Sequence, residues 1–105
     1  MKYLVIGSGG PGFASPEEAV RVLEEIVLPS FDKLIRLEKK RKIIGGLPVG
    51  DRAFAFIAEA SSNEELDQML RDLPMWGSVD WEVTALQTFT GRADHERQIV
   101  KKLKR

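Results

Sequence analysis

Apolar residues follow two rhythms along this 105-residue chain. Tyr3-Leu4-Val5-Ile6 is a short unbroken apolar run ending at Gly7, the pattern of a buried first strand. A Gly-rich loop, Gly7 to Ala14, is expected next. From Ser15 the spacing becomes helical, with Val20, Leu23, Val27, Phe31, Leu34 and Ile35 on one side. Ser15-Pro16-Glu17-Glu18 is a helix start: a hydroxyl to cap, proline at the first helical position and Glu18 to complete a capping box. Pro29 removes a donor and crowds the preceding turn, which predicts a kink or a break near Leu28. Lys39-Lys40-Arg41-Lys42 closes the helix, where the macrodipole favours positive charge.

The second half repeats the scheme. Ile43-Ile44 opens a strand bent by Gly45-Gly46 and Pro48, and Val49-Gly50-Asp51-Arg52 is a turn. Ala53 to Ala58 is a third strand. Ser61 or Ser62 caps the next helix, with Glu64 or Glu65 three positions on, and Leu66, Met69, Leu70 and Leu73 form its buried stripe. Leu73-Pro74 ends that helix at an aromatic corner, Met75-Trp76. A fourth strand is expected from about Val79 to Phe89, and a last amphipathic helix from about Ala93 to Leu103.

Strand, helix, strand, strand, helix, strand is the split βαβ order of a ferredoxin-like α+β domain, βαββαβ with an added C-terminal helix. A single domain spans 1–105. Along the third strand Phe54, Phe56 and Ala58 point one way, and Ala53, Ala55 and Ile57 the other. Tyr3 and Val5 oppose Leu4 and Ile6 in the same manner. Both faces of the sheet are therefore apolar, while two helices cover only one. A second copy, packed sheet to sheet, is the expected cover.

Charge narrows the partners. Sixteen basic and sixteen acidic residues cancel, so no long-range pull on nucleic acid or an anionic membrane is expected. The absence of cysteine excludes disulfides, thiolate metal sites and thiol nucleophiles. The first apolar run is too short for a signal peptide or a membrane span, so a cytoplasmic location is expected.

Candidate chemistry is sparse. Gly7-Ser8-Gly9-Gly10-Pro11-Gly12 matches G-x-G-x-x-G in form. The helix-capping residues come later, at Ser15-Pro16, and no acid ends the second strand, so dinucleotide binding is set aside. A loop closing over a pocket mouth stays open. Asp80 and Glu82 share one strand face, and Trp81 and Val83 the other. In a closed cavity such carboxylates move protons near neutral pH. Alternatively they pair with Arg52, Arg92 or backbone groups at a subunit contact. Trp76 suits either a pocket wall or a plug between helix and sheet. His95, the only histidine, falls in the opening of the last helix, and no metal site is expected from it. Phe54 and Phe56 lack the frame that an RNA-recognition module needs.

The S-x-E-E-L helix, the Leu73-Pro74-Met75-Trp76 corner and the Asp80-Trp81-Glu82-Val83 strand resemble the second half of muconolactone isomerase. The resemblance covers about Gly45 to Leu86, and the first helix only loosely. It implies a dimeric α/β barrel and a cofactor-free proton shift in an unsaturated lactone, during aromatic compound catabolism. The apolar first strand, the Gly-rich loop, Pro29 and the last helix depart from that family.

On these grounds the expected activity is that of an isomerase or cyclase acting, without a cofactor, on a small unsaturated lactone or carbonyl compound. Glu82 is the expected base, with Asp80 as second acid or orienter and Arg52 for substrate charge. Tyr3, Phe54, Phe56 and Trp76 are the expected apolar wall. Homodimers or larger homo-oligomers are expected, with neither nucleic acid nor membrane as partner. Two other readings stay open: a non-catalytic small-molecule-binding or assembly protein, and a small barrel monooxygenase working with haem or without a cofactor.

Overall fold

Ser15 begins the helical layer as its sequence directs. Its hydroxyl oxygen accepts from the Glu18 amide at 3.1 Å, and the Glu18 carboxylate accepts from the Ala14 amide at 3.0 Å. The computed structural model describes all residues 1–105. It contains strands β1 (Lys2–Gly9), β2 (Ile43–Gly46), β3 (Ala53–Glu59) and β4 (Val79–Leu86), and helices α1 (Pro16–Val22), α2 (Leu28–Lys39), α3 (Asn63–Arg71) and α4 (Phe89–Leu103). The strands form one antiparallel sheet in the order β2-β3-β1-β4, the ferredoxin-like arrangement with an extra C-terminal helix.

Residues Leu23–Val27, between α1 and α2, form a π-type turn in which the Leu28 amide reaches back to the Leu23 carbonyl. Pro29 follows at the start of α2. The interruption falls where proline predicts it, but the chain stays helical. A widened turn is a regular way to relieve a helix of an unpaired carbonyl and a crowded ring. In the residue after Pro29, the buried Ser30, the hydroxyl donates to the Ile26 carbonyl at 2.8 Å and accepts from the Met75 amide at 3.0 Å. This pins α2 to the corner after α3.

Register divides the sheet into two faces. Val5 pairs with Phe56 and Val83, and Tyr3 with Ala58 and Ala85. That face meets the helices, and with Leu34, Leu66, Leu70 and Leu73 it forms the core. The other face carries Leu4, Ile6, Ala55, Ile57 and Ile44, and no helix covers it. Ile6 and Ile44 are exposed there. Both faces are apolar, as the alternation predicts.

Three boundaries differ from the sequence reading. β1 runs on to Gly9, so Gly7 is a buried strand residue and not loop. A Cβ on Gly7 would lie 2.8 Å from Trp81 Cζ3, so only glycine lets the Trp81 ring lie across β1. β4 stops at Leu86, and α4 starts at Phe89 instead of near Ala93. Thr88 explains the early start: its hydroxyl caps the Gly91 amide at 3.0 Å. Ser62, not Ser61, caps α3. No helix is long and apolar enough to cross a membrane.

Candidate functional site

The helix-facing side of β3 places Phe54 and Phe56 beneath α2. On α2, Phe31, Leu34, Ile35 and Glu38 lie at helical spacing on one side, so three apolar residues and one acid line the same cleft. β2 closes the cleft with Ile43 and Gly45. Gly45 has φ 152°, and a Cβ there would lie 2.3 Å from the Ala55 carbonyl oxygen, so glycine alone permits this approach of β2 to β3. This part of the cleft holds about 120 Å³.

A second lobe of about 190 Å³ adjoins it and shares Phe31, Leu47 and Phe54. Its roof is the loop after β1, with Gly10, Pro11 and Phe13, and its flank is Val22, Leu23 and Val27. The Phe31 and Phe54 rings stand 5.9 Å apart at 48°, and Trp81 stacks behind Phe54 at 6.1 Å. Phe31 and Phe54 thus form the aromatic wall that both lobes share, and Trp81 backs it from outside the cleft. Such walls offer flat, apolar contact to a ring-shaped ligand.

Charge enters only at the rim. Arg52 and Asp51 border the second lobe and Glu38 the first. The Arg52 guanidinium donates to the Pro11 carbonyl at 2.9 Å, and the Asp51 carboxylate accepts from the Arg52 amide at 2.7 Å. No three acids or histidines gather in a way that could hold a metal ion.

Of the residues expected from sequence, Arg52, Phe54 and Phe56 come together here. Tyr3 does not. It is buried under α3, where its hydroxyl donates to Asn63 Oδ1 at 2.6 Å. Trp76 also stands outside the cleft: the Arg71 guanidinium lies 4.4 Å over its ring, and its carbonyl accepts from Trp81 Nε1 at 3.2 Å. Asp80 and Glu82 pair across the sheet with Ser8 and Ile6 on the open face, on the far side of the sheet from the cleft. Neither makes an ion pair or a side-chain hydrogen bond. Arg92 bonds Glu96 and Gln87 instead. His95 is exposed on α4.

Phe31, Leu47, Glu38 and Asp51 escaped the sequence reading as site residues. Glu38 did leave a signal, since it is an acid on the apolar side of α2, one turn past Leu34. Leu47 and Asp51 lie in the connection between β2 and β3, where no periodicity marks direction.

The fold and cleft define a ferredoxin-like domain with an apolar, ring-sized site between sheet and helix. No family model and no curated protein matches the chain. Solved structures do. The crystal structure of muconolactone isomerase at 3.3 Å resolution superposes with a TM-score of 0.68, over 84% of this chain and 90% of that one, at 21% identity. The 5-chloro-2-hydroxyhydroquinone dehydrochlorinase of Burkholderia phenoliruptrix, in complex with 2,5-dihydroxybenzoquinone, matches with a TM-score of 0.56, over 87% of this chain and 98% of that one, also at 21% identity. The chain thus has the fold of muconolactone isomerase, one that an isomerase and a dehydrochlorinase share.

Proposed function

We propose that the protein is a cofactor-independent enzyme that moves a proton within a small unsaturated ring compound, a lactone or cyclic carbonyl, held in the apolar cleft. The cleft itself carries this reading: Phe31, Leu47, Phe54 and Phe56 form its wall, and Glu38, Asp51 and Arg52 stand only at its rim. Few polar groups around an apolar lining orient a ligand without competing for it. The size agrees, since an apolar cavity of about 150 Å³ holds one benzene ring. The fold's likeness to a muconolactone isomerase and to a dehydrochlorinase holding a dihydroxybenzoquinone supports the same ligand class.

The chemistry needs one base and one anchor. Arg52 holds an anionic oxygen of the ligand. Glu38 or Asp51 takes a proton from a carbon conjugated with the carbonyl, leaving a delocalised enolate, and returns it at another carbon of the same conjugated system. Atoms and charge balance without a cofactor. A second copy seated on the open sheet face completes the assembly by covering Leu4, Ile6, Ile44 and Ile57.

That pairing supports a second reading, because it would enclose Asp80 and Glu82. Glu82 is then the base and Asp80 its orienter, in a chamber between two sheets. One experiment separates the readings: turnover of muconolactone in heavy water, followed by NMR. Under the cleft reading Glu38→Gln or Asp51→Asn lowers the rate by about 10²-fold or more, and Glu82→Gln does not. The opposite result makes the sheet-face acids the proton carriers. Binding of 2,5-dihydroxybenzoquinone in the cleft without turnover of either compound leaves a non-catalytic ligand binder.

A further inference from the structure

We propose that α4 is an arm that docks on the acidic ridge of α1 and the π-type turn of a second copy of this chain. In the single chain α4 has no partner. None of its residues is buried, none joins the core, and its side-chain hydrogen bonds stay within residues 87–97. Phe89, Ala93, Val100 and Leu103 nevertheless fall on one stripe, broken only by Glu96, whose carboxylate is paired with Arg92 on the same helix, and Phe89 is 96% and Leu103 79% exposed. A helix of 15 residues is marginal alone in water, and Thr90, Gly91, Ile99 and Val100 are weak helix formers. A covering surface is what such a stripe requires.

Charge selects the cover. Beyond Glu96 every charged residue of the chain is basic, and Lys101, Lys102, Lys104 and Arg105 have no acidic partner. The complementary surface lies on α1 and the π-type turn. There Val20 is 55% and Leu23 42% exposed, beside Glu17, Glu24 and Glu25, with Arg21 as the one base. An apolar stripe ending in bases thus meets an apolar ridge flanked by acids, a complementary pair of surfaces carried by one sequence.

Topology puts the two surfaces on different copies. β1 and β4 pair from Lys2 with Leu86 at one end to Gly9 with Val79 at the other. α4 leaves the Leu86 end after only Gln87 and Thr88, whereas α1 follows the Gly9 end. The molecule is accordingly drawn out to 70 Å, against 24 and 22 Å in its other directions. In a two-fold pair whose copies run in opposite directions, the Leu86 end of one lies toward the Gly9 end of the other, which is the arrangement the docking requires. Leu23 borders the cleft, so the docked arm also closes on the site's flank.

Hydrogen exchange of the full chain, read by mass spectrometry, tests this. The α4 amides are expected to exchange slowly at micromolar concentration and to lose that protection on dilution. Reversing Glu24→Lys with Glu25→Lys, or Lys101→Glu with Lys102→Glu, is expected to weaken the concentration-dependent protection about tenfold, and combining all four to restore it. Rapid exchange of α4 in the unaltered protein overturns the proposal. So does protection indifferent to the Glu24 and Glu25 reversal, or protection that arises only on adding duplex oligonucleotide or anionic vesicles.

Discussion

The Arg52 guanidinium donates to the Pro11 carbonyl at 2.9 Å, joining the turn before β3 to the loop after β1. Both residues border the same lobe of the cleft, so this one bond ties the loop across its mouth. The loop's two ends are held by the Gly10 amide, which donates to the Ser78 carbonyl at 2.9 Å, and by the Ala14 amide, which donates to the Glu18 carboxylate at 3.0 Å. Arg52→Ala is expected to speed proteolytic cleavage within residues 10–14. The urea midpoint should barely move, because an exposed hydrogen bond contributes about 1 kcal/mol or less. Unchanged cleavage rates would show that the loop holds without Arg52.

Ser30 carries a larger share of stability. Its buried hydroxyl bridges the Ile26 carbonyl and the Met75 amide. Ser30→Ala leaves the Met75 amide buried and unpaired, at a cost of about 1–3 kcal/mol. Denaturant unfolding should show this loss, whereas Ser8→Ala, on the open face, should leave stability nearly unchanged.

Gly7→Ala is expected to disturb the Trp81 ring. The added Cβ would lie 2.8 Å from Trp81 Cζ3 and 2.9 Å from Val79 Cγ1, closer than real contacts allow. Overpacking of this kind costs about 1–3 kcal/mol. Tryptophan fluorescence should shift, since Trp81 must move away from its stack on Phe54 and from the Trp76 carbonyl.

Glu65 titrates below its ordinary value of 4.5, first because the Ser61 hydroxyl donates to it, then because the Ser61 amide does, with a smaller share from Lys42. A carboxylate whose pKa is lowered on folding contributes its stability above the unfolded value. That contribution is lost as pH falls through the folded value. An NMR titration of Ser61→Ala should therefore find Glu65 shifted up, part of the way to 4.5, because the backbone donor remains. An unmoved titration would mean that the hydroxyl contributes nothing.

Much of the fold was legible in local chemistry. Ser15, Pro16 and Glu18 mark the start of α1 because capping is a matter of neighbours. Pro29 marks the disturbance in the helix because a missing amide acts within one turn. The aromatic wall was legible in part. Alternation along β3 puts Phe54 and Phe56 on one face, but it cannot say what stands opposite them. Phe31 was visible only as one more apolar residue on a helix. Its role in the cleft follows from the packing of α2 across β3.

The sequence by itself determined the order of elements, the two apolar faces of the sheet and the sharing of one face by Asp80 and Glu82. All of these depend on periodicity and on residues a few positions apart. Tertiary structure alone decided that the cleft opens on the other side of the sheet from those acids, with Glu38, Asp51 and Arg52 at its rim. It also decided that Tyr3 and Trp76 are engaged elsewhere, and that α4 stands clear of the body. These depend on which segments far apart in the chain come to lie against each other. Such contacts are set by packing and register over the whole domain, not by any local pattern.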